Sequence, residues 1–171
     1  MRLAKPLAPG ATIGILGGGQ LGRMLALAAG QLGFKCHILA PEEDSPAFQV
    51  SASHTVAGYH DFAALEMFAS KVDVITYEFE NVPSDTAASL ESQAVLAPSS
   101  AALRTAQDRI DEKIFIAGLG IPVAPFAAVN SEADLHNAIA RIGRPAVLKT
   151  RRFGYDGKGQ TRIAADTSTG V

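Results

Sequence analysis

The chain has 171 residues, 47% of them apolar, no tryptophan and a formal net charge of −2. That is enough for one full domain and part of a second, and the near-neutral balance argues against nucleic acid or an anionic membrane as a partner. A single cysteine, Cys36, excludes internal disulfides and cysteine-rich metal sites, while the absence of a signal-peptide core in Met1–Pro9 or of a run near ~18 apolar residues leads us to expect a soluble, cytoplasmic protein.

Thr12–Leu16 is a short apolar run and predicts a buried first strand. It runs into Gly17, Gly19 and Gly22 at the G-x-G-x-x-G spacing, after which Leu21, Met24, Leu25 and Ala28 recur at helical intervals. Missing Cβ atoms at the first two glycines allow a tight turn and close approach of an anion, and the third allows the helix to lie against the strand. The helix N-terminus, with its free N–H groups, is then a seat for phosphate. The same glycines could instead serve packing alone.

Gly33 reads as a helix C-cap and Phe34–Ala40 as a second strand. A dinucleotide-binding domain would place an acid at the end of that strand for the ribose hydroxyls. Here the strand ends Leu39-Ala40-Pro41 and the acids, Glu42, Glu43 and Asp44, follow it, which counts against a dinucleotide. Ser45–Gly58 shows little periodicity and is expected to cross the sheet edge. Asp61 caps a helix bearing Phe62, Leu65, Ala69 and Val72 on one face, and Val72–Phe79 is a third strand. It leads into Glu78-Phe79-Glu80-Asn81, at the strand end where open α/β sheets bind ligands, although a helix-capping loop would look the same.

Ser84–Gln93 predicts a helix, Ala94–Ala97 a fourth strand, and Ser99–Ala117 one longer helix. In that helix Asp108/Glu112 and Arg109/Lys113 stand at i, i+4, the pattern of a solvated face. Gly118 and Gly120 end it, and the stiff connector Ile121–Phe126 marks a domain boundary, giving domains 1–120 and 121–171. Beyond it, Ser131 caps an amphipathic helix stopped by Pro145. Ala146–Lys149 and Gln160–Ile163 form a hairpin around the glycine-rich tip Arg151–Gly159. Residues 141–162 carry seven basic side chains against one acid, Asp156, which suits a polyphosphate. His37, His54, His60 and His136 have no metal-ligand spacing and receive no role. The fold class that follows is α/β, a Rossmann-like open parallel sheet flanked by helices, followed by the opening of a second domain.

Four blocks together resemble the ATP-grasp superfamily, and within it the ribonucleotide carboxylases of purine biosynthesis. They are Gly17-Gly18-Gly19-Gln20-Leu21-Gly22-Arg23-Met24; Thr76-Tyr77-Glu78-Phe79-Glu80-Asn81-Val82-Pro83; Gln107-Asp108-Arg109 with Glu112-Lys113; and Gly154-Tyr155-Asp156-Gly157-Lys158-Gly159-Gln160. The resemblance implies a pre-ATP-grasp domain followed by the beginning of an ATP-grasp domain. It implies a ligase that uses ATP and Mg2+ to convert bicarbonate to carboxyphosphate and passes the carboxyl to the amine of aminoimidazole ribonucleotide. On the same basis Arg109, Lys149, Gly154, Tyr155, Asp156, Gly157, Lys158, Gly159 and Gln160 bind ATP, with Tyr155 and Asp156 also facing the reacting substrate as catalytic residues. Gly19, Gln20, Leu21 and Glu78 take the ribonucleotide, although a sister transformylase carries Glu where this chain has Gln20.

Such enzymes are about twice this length and form homodimers, so the chain is expected to be an N-terminal piece without turnover, its magnesium ligands and adenine segment lying further on. Three alternatives compete. One is an NAD(P)-dependent Rossmann oxidoreductase, another a different ATP-grasp ligase of purine synthesis, and the third a non-catalytic regulatory module.

Overall fold

The computed structural model describes residues 5–154 and 156–165. It divides into two compact units, one up to Arg104 and one from Thr105. The first holds a four-stranded parallel sheet in the order β3-β2-β1-β4, built from β1 (Thr12–Leu16), β2 (Lys35–Ala40), β3 (Ser53–Val56) and β4 (Val74–Tyr77). Helix α1 (Gln20–Gln31) connects β1 to β2, a 3-10 turn (Pro46–Val50) precedes β3, and α2 (Phe62–Ala69) precedes β4. Helix α3 (Ser84–Gln93) follows.

The side-chain period of two along a strand explains the layering. Ile15 and Ile38 pack with Ala26 and Ala29 of α1, whereas Leu16 and Leu39 pack with Leu65 and Phe68 of α2 and Leu90 of α3. Strand β1 is hydrogen-bonded to β2 on one side and β4 on the other. The chain therefore leaves β1 in one direction and returns beside it from the other, the switch point beyond which open sheets leave a crevice at their carboxyl ends.

Three expectations change. Ser53–Val56 is a strand, pairing with His37–Ala40, where the sequence reading saw an aperiodic crossing. Ala94–Ala97 is no strand but a single parallel bridge from Ile75 to Leu96. The long helix is two, α4 (Ser100–Gln107) and α5 (Arg109–Gly118), because Asp108 leaves helical geometry to cap α5, its carboxylate accepting from the Ile110 amide at 2.9 Å.

The second unit holds α5, α6 (Glu132–Ile142) and the antiparallel pair β5 (Ala146–Lys149) and β6 (Gln160–Ile163). Ser131 caps α6 as expected, accepting from the Asp134 amide. The two compact units meet within α4, and α5 is tied to the hairpin tip by hydrogen bonds described below.

Candidate functional site

In the first unit the site grows from the turn after β1. Gly17 has φ +113, the left-handed side open to glycine, and a Cβ there would lie 2.6 Å from Glu78 Oε1. A Cβ on Gly22 would lie 2.7 Å from the Gly17 carbonyl oxygen, so only glycine lets α1 sit this close to the turn. The Gly18 carbonyl accepts from the Ala47 amide at 3.0 Å, bringing the 3-10 turn against the loop. Glu78, just beyond β4, completes the arrangement. Its Oε1 accepts from the Gly19 amide at 2.9 Å. The first amide of the expected phosphate seat thus carries the chain's own carboxylate.

Around these groups lies a cleft of about 430 Å³. Gly17–Gly19 form its floor, and Glu42, Asp44, Tyr59, Glu78 and Phe79 stand on its sides. The Tyr59 and Phe79 rings stack at 5.8 Å with an interplanar angle of 20°. Burial, and then the Glu42 and Glu78 carboxylates, push the Tyr59 phenol well up, so it stays protonated. Ser45, buried, donates to the Glu42 carbonyl and shapes the loop that carries the acids. Among the described residues the lining holds no lysine or arginine. The acids after β2, judged from sequence to arrive too late for a ribose, do reach this cleft, so that objection to a dinucleotide lapses.

Of the four residues expected at the ribonucleotide, Gly19 and Glu78 meet directly. Gln20 and Leu21 open α1 on its exposed side, and Leu21, Met24 and Leu25 line a second hollow of about 460 Å³ that shares Glu78. Tyr59 and the Glu42–Asp44 pair were missed. Their sequence neighbourhood has no periodicity, and only the β2–β3 pairing brings them here.

In the second unit the third and fourth sequence blocks join. The Arg109 guanidinium donates to the Gly154 carbonyl at 2.8 Å, and its amide donates to the Arg151 carbonyl at 3.0 Å. Asp108 takes the Arg151 guanidinium through both carboxylate oxygens, at 3.1 and 2.8 Å, while also capping α5. Burial works against its ionisation, but the Arg151 hydrogen bond and the Ile110 and Asp111 amides outweigh it and hold the carboxyl below its ordinary value. Arg152 donates to Gln107 Oε1 at 3.0 Å. The charges read from sequence as a solvated face are therefore the clamp of the hairpin tip: Asp108 and Arg109 both bind it, and Lys113 lies over the Phe126 ring.

At the tip Asp156 (φ +47), Gly157 (φ +80) and Gly159 (φ +68) take left-handed backbone on either side of Lys158. Gly154 and Gly159 fit against Thr150, whose side chain a Cβ at either position would strike. Lys149 ends β5 opposite Gln160. Lys158 lies within the tip, and Tyr155 falls outside the described residues. Among the described residues no three His, Cys, Asp or Glu side chains converge to hold a metal ion, so none is assigned as a magnesium ligand.

Comparison with known proteins gives two domain-family matches: the ribonucleotide synthetase pre-ATP-grasp domain over residues 10–107 and the ATP-grasp domain over residues 114–169. The chain is 50% identical over 159 residues to an N5-carboxyaminoimidazole ribonucleotide synthase of Brucella melitensis, covering 93% of this chain and 44% of that one. A crystal structure of an N5-carboxyaminoimidazole ribonucleotide synthetase in complex with ADP superposes with a TM-score of 0.91 at 44% identity, covering 96% of this chain and 44% of the other. The Aspergillus clavatus enzyme in complex with ADP and 5-aminoimidazole ribonucleotide superposes with a TM-score of 0.80 at 31% identity, covering 92% of this chain and 41% of that one. The chain thus spans less than half the length of these relatives.

Proposed function

Because the chain belongs to the ribonucleotide synthetase pre-ATP-grasp family, we propose that it supplies the ribonucleotide-binding domain and the first part of the ATP site of a ligase that carboxylates 5-aminoimidazole ribonucleotide. The observation that carries the reading is the pairing of the four sequence blocks. Glu78 joins the first to the second across 59 residues, and Arg109 joins the third to the fourth across 45. Each pairing puts chemistry-bearing side chains beside glycine-rich backbone.

In this reading a bicarbonate oxygen attacks the γ-phosphorus of ATP, releasing ADP and forming carboxyphosphate. The substrate amine then attacks the carboxyl carbon, phosphate leaves, and the nitrogen gives up a proton. The residues here would bind and position rather than form bonds. Lys149, Lys158 and the amides of the 154–160 tip would neutralise phosphate charge, with Arg109 holding the tip through the Gly154 carbonyl. Asp156 would accept a hydrogen bond from the reacting amine, and Glu78 would orient the ribonucleotide. Magnesium, which ATP-dependent phosphoryl transfer uses, finds no fitting carboxylate group among the described residues, and no step is assigned through it.

The test is ADP release by this chain joined to the remaining ATP-grasp portion of such a ligase. We expect release to depend on both bicarbonate and 5-aminoimidazole ribonucleotide, with Arg109→Ala raising the KM for ATP. Release independent of both, or micromolar binding of NAD(P) in the first unit, would overturn the reading.

A further inference from the structure

Resting on that reading, we infer that Gln107 and Asp108 are positioning residues for phosphoryl transfer: through Arg152 and Arg151 they fix where the 151–159 tip begins, and these two arginines serve the tip rather than the phosphates. The contacts match residue by residue. Asp108 takes the Arg151 guanidinium with both carboxylate oxygens, at 3.1 and 2.8 Å, and Gln107 Oε1 accepts from Arg152 at 3.0 Å. Arg109 holds the backbone around them, its amide donating to the Arg151 carbonyl at 3.0 Å and its guanidinium to the Gly154 carbonyl at 2.8 Å. The forked Arg151–Asp108 pair fixes direction as well as distance.

Between these grips the backbone is strained. Phe153 has φ +61, a left-handed conformation that a bulky residue adopts only where its surroundings dictate it. The residue is 68% exposed, with the Arg152 guanidinium 5.5 Å over its ring, so burial does not account for that conformation. The bonds on either side, at 151 and 152 and again at 154, hold it in place. Arg151 is itself half exposed, and an ion pair in such a setting adds little to global stability. What the pair supplies is placement. Phosphoryl transfer depends on it, because a displacement of about 1 Å can cost about 10²-fold in rate.

The experiment measures ADP release by the complete ligase. Asp108→Asn keeps a capping side chain on α5 but removes the charge that Arg151 grips. Its kcat should fall about tenfold, while the KM for ATP moves less than about twofold and melting stays near wild type. Arg151→Met leaves the cap untouched, so it keeps the test open if the first variant melts early, and it should show the same split. The double variant should be no slower than either single one. Unchanged kcat in both variants, or losses that multiply in the double, would overturn the positioning role. A raised KM for ATP at unchanged kcat in Arg151→Met would overturn it too, by making Arg151 a phosphate ligand. Release that ignores bicarbonate and 5-aminoimidazole ribonucleotide would overturn the proposed activity instead. The grip is then judged by amide exchange in the 171-residue chain. Exchange over residues 151–159 quickened by Asp108→Asn, with α5 unchanged, keeps it, and unchanged exchange removes it.

Discussion

Gly19 and Gly22 stand three residues apart and make opposite demands. A side chain at Gly22 meets a backbone oxygen at 2.7 Å, and backbone cannot swing aside. Gly22→Val should cost about 1–3 kcal/mol and lower the melting temperature by several degrees. At Gly19 the nearest atom is Glu78 Oε1, 3.1 Å from a Cβ, the far end of a side chain that can rotate. Gly19→Val should melt near wild type yet lose the Glu78 contact and, with it, ribonucleotide affinity. Melting curves and calorimetry on the two variants check the contrast, and equal melting would sink it. Asp156 poses a similar question at the hairpin tip. Its φ of +47 is one that Asn also tolerates, so Asp156→Asn should leave folding untouched. If its charge holds the reacting amine, carboxylation by the complete ligase should fall about 10²-fold, and near-wild-type turnover would return the residue to turn formation.

At the scale of elements, Asp108 is the joint. One carboxylate caps α5 and grips Arg151, so its loss frays the helix and frees the hairpin together. Asp108→Ala should cost about 1 kcal/mol at the cap, and hydrogen exchange should quicken in both α5 and the β5–β6 tip. The coupling is pH-dependent with a definite sign. The folded carboxyl titrates below its ordinary 3.8, so its contribution is present above that value and is lost as the pH falls through the lower folded value. Exchange that quickens in α5 alone would show the two elements to be independent.

The same joint explains what could be read in advance. Asp108 before Ile110, with acids at Asp111 and Glu112, is a helix-start signature, but the unbroken apolar periodicity from Leu103 to Ile116 reads as one helix and hides it. The strongly patterned elements, β1, α1, β2 and α2, were legible because their apolar spacing carries the core. β3 was not. Ser53-His54-Thr55-Val56 is polar, lies at the sheet edge and takes its conformation from pairing with β2. Likewise the glycine spacing and Glu78 announced the site, whereas Tyr59 and the acids after β2 join it only through that pairing.

For the whole molecule, a buried histidine couples the sheet to acidity. His37 lies 3% exposed in β2, its Nδ1 3.0 Å from Ser53 Oγ and its Nε2 2.8 Å from Thr55 Oγ1. Burial first, then the nearby charges of Lys71 and His54, lower its pKa from the usual 6.5. As pH falls through that value the unfolded chain takes up a proton that the folded chain resists, so stability should decline there until the folded histidine titrates in turn. Guanidinium unfolding at about pH 7.5 and about pH 5.5 measures the slope, and His37→Gln should flatten it. A slope undiminished in that variant would assign it elsewhere.

The bond between Glu78 and the Gly19 amide also sets an order of events. Its partners are 59 residues apart, and Glu78 reaches the turn only because β4 has docked beside β1. A growing chain therefore carries the glycine turn for much of its synthesis with no carboxylate on it and no far wall to the cleft. Closing that span is paid in loop entropy before the contacts return it. Binding competence in the cleft thus follows the docking of β4, and a ligand there can stabilise only molecules whose sheet is finished. The cleft is in effect an inspector of completed folding.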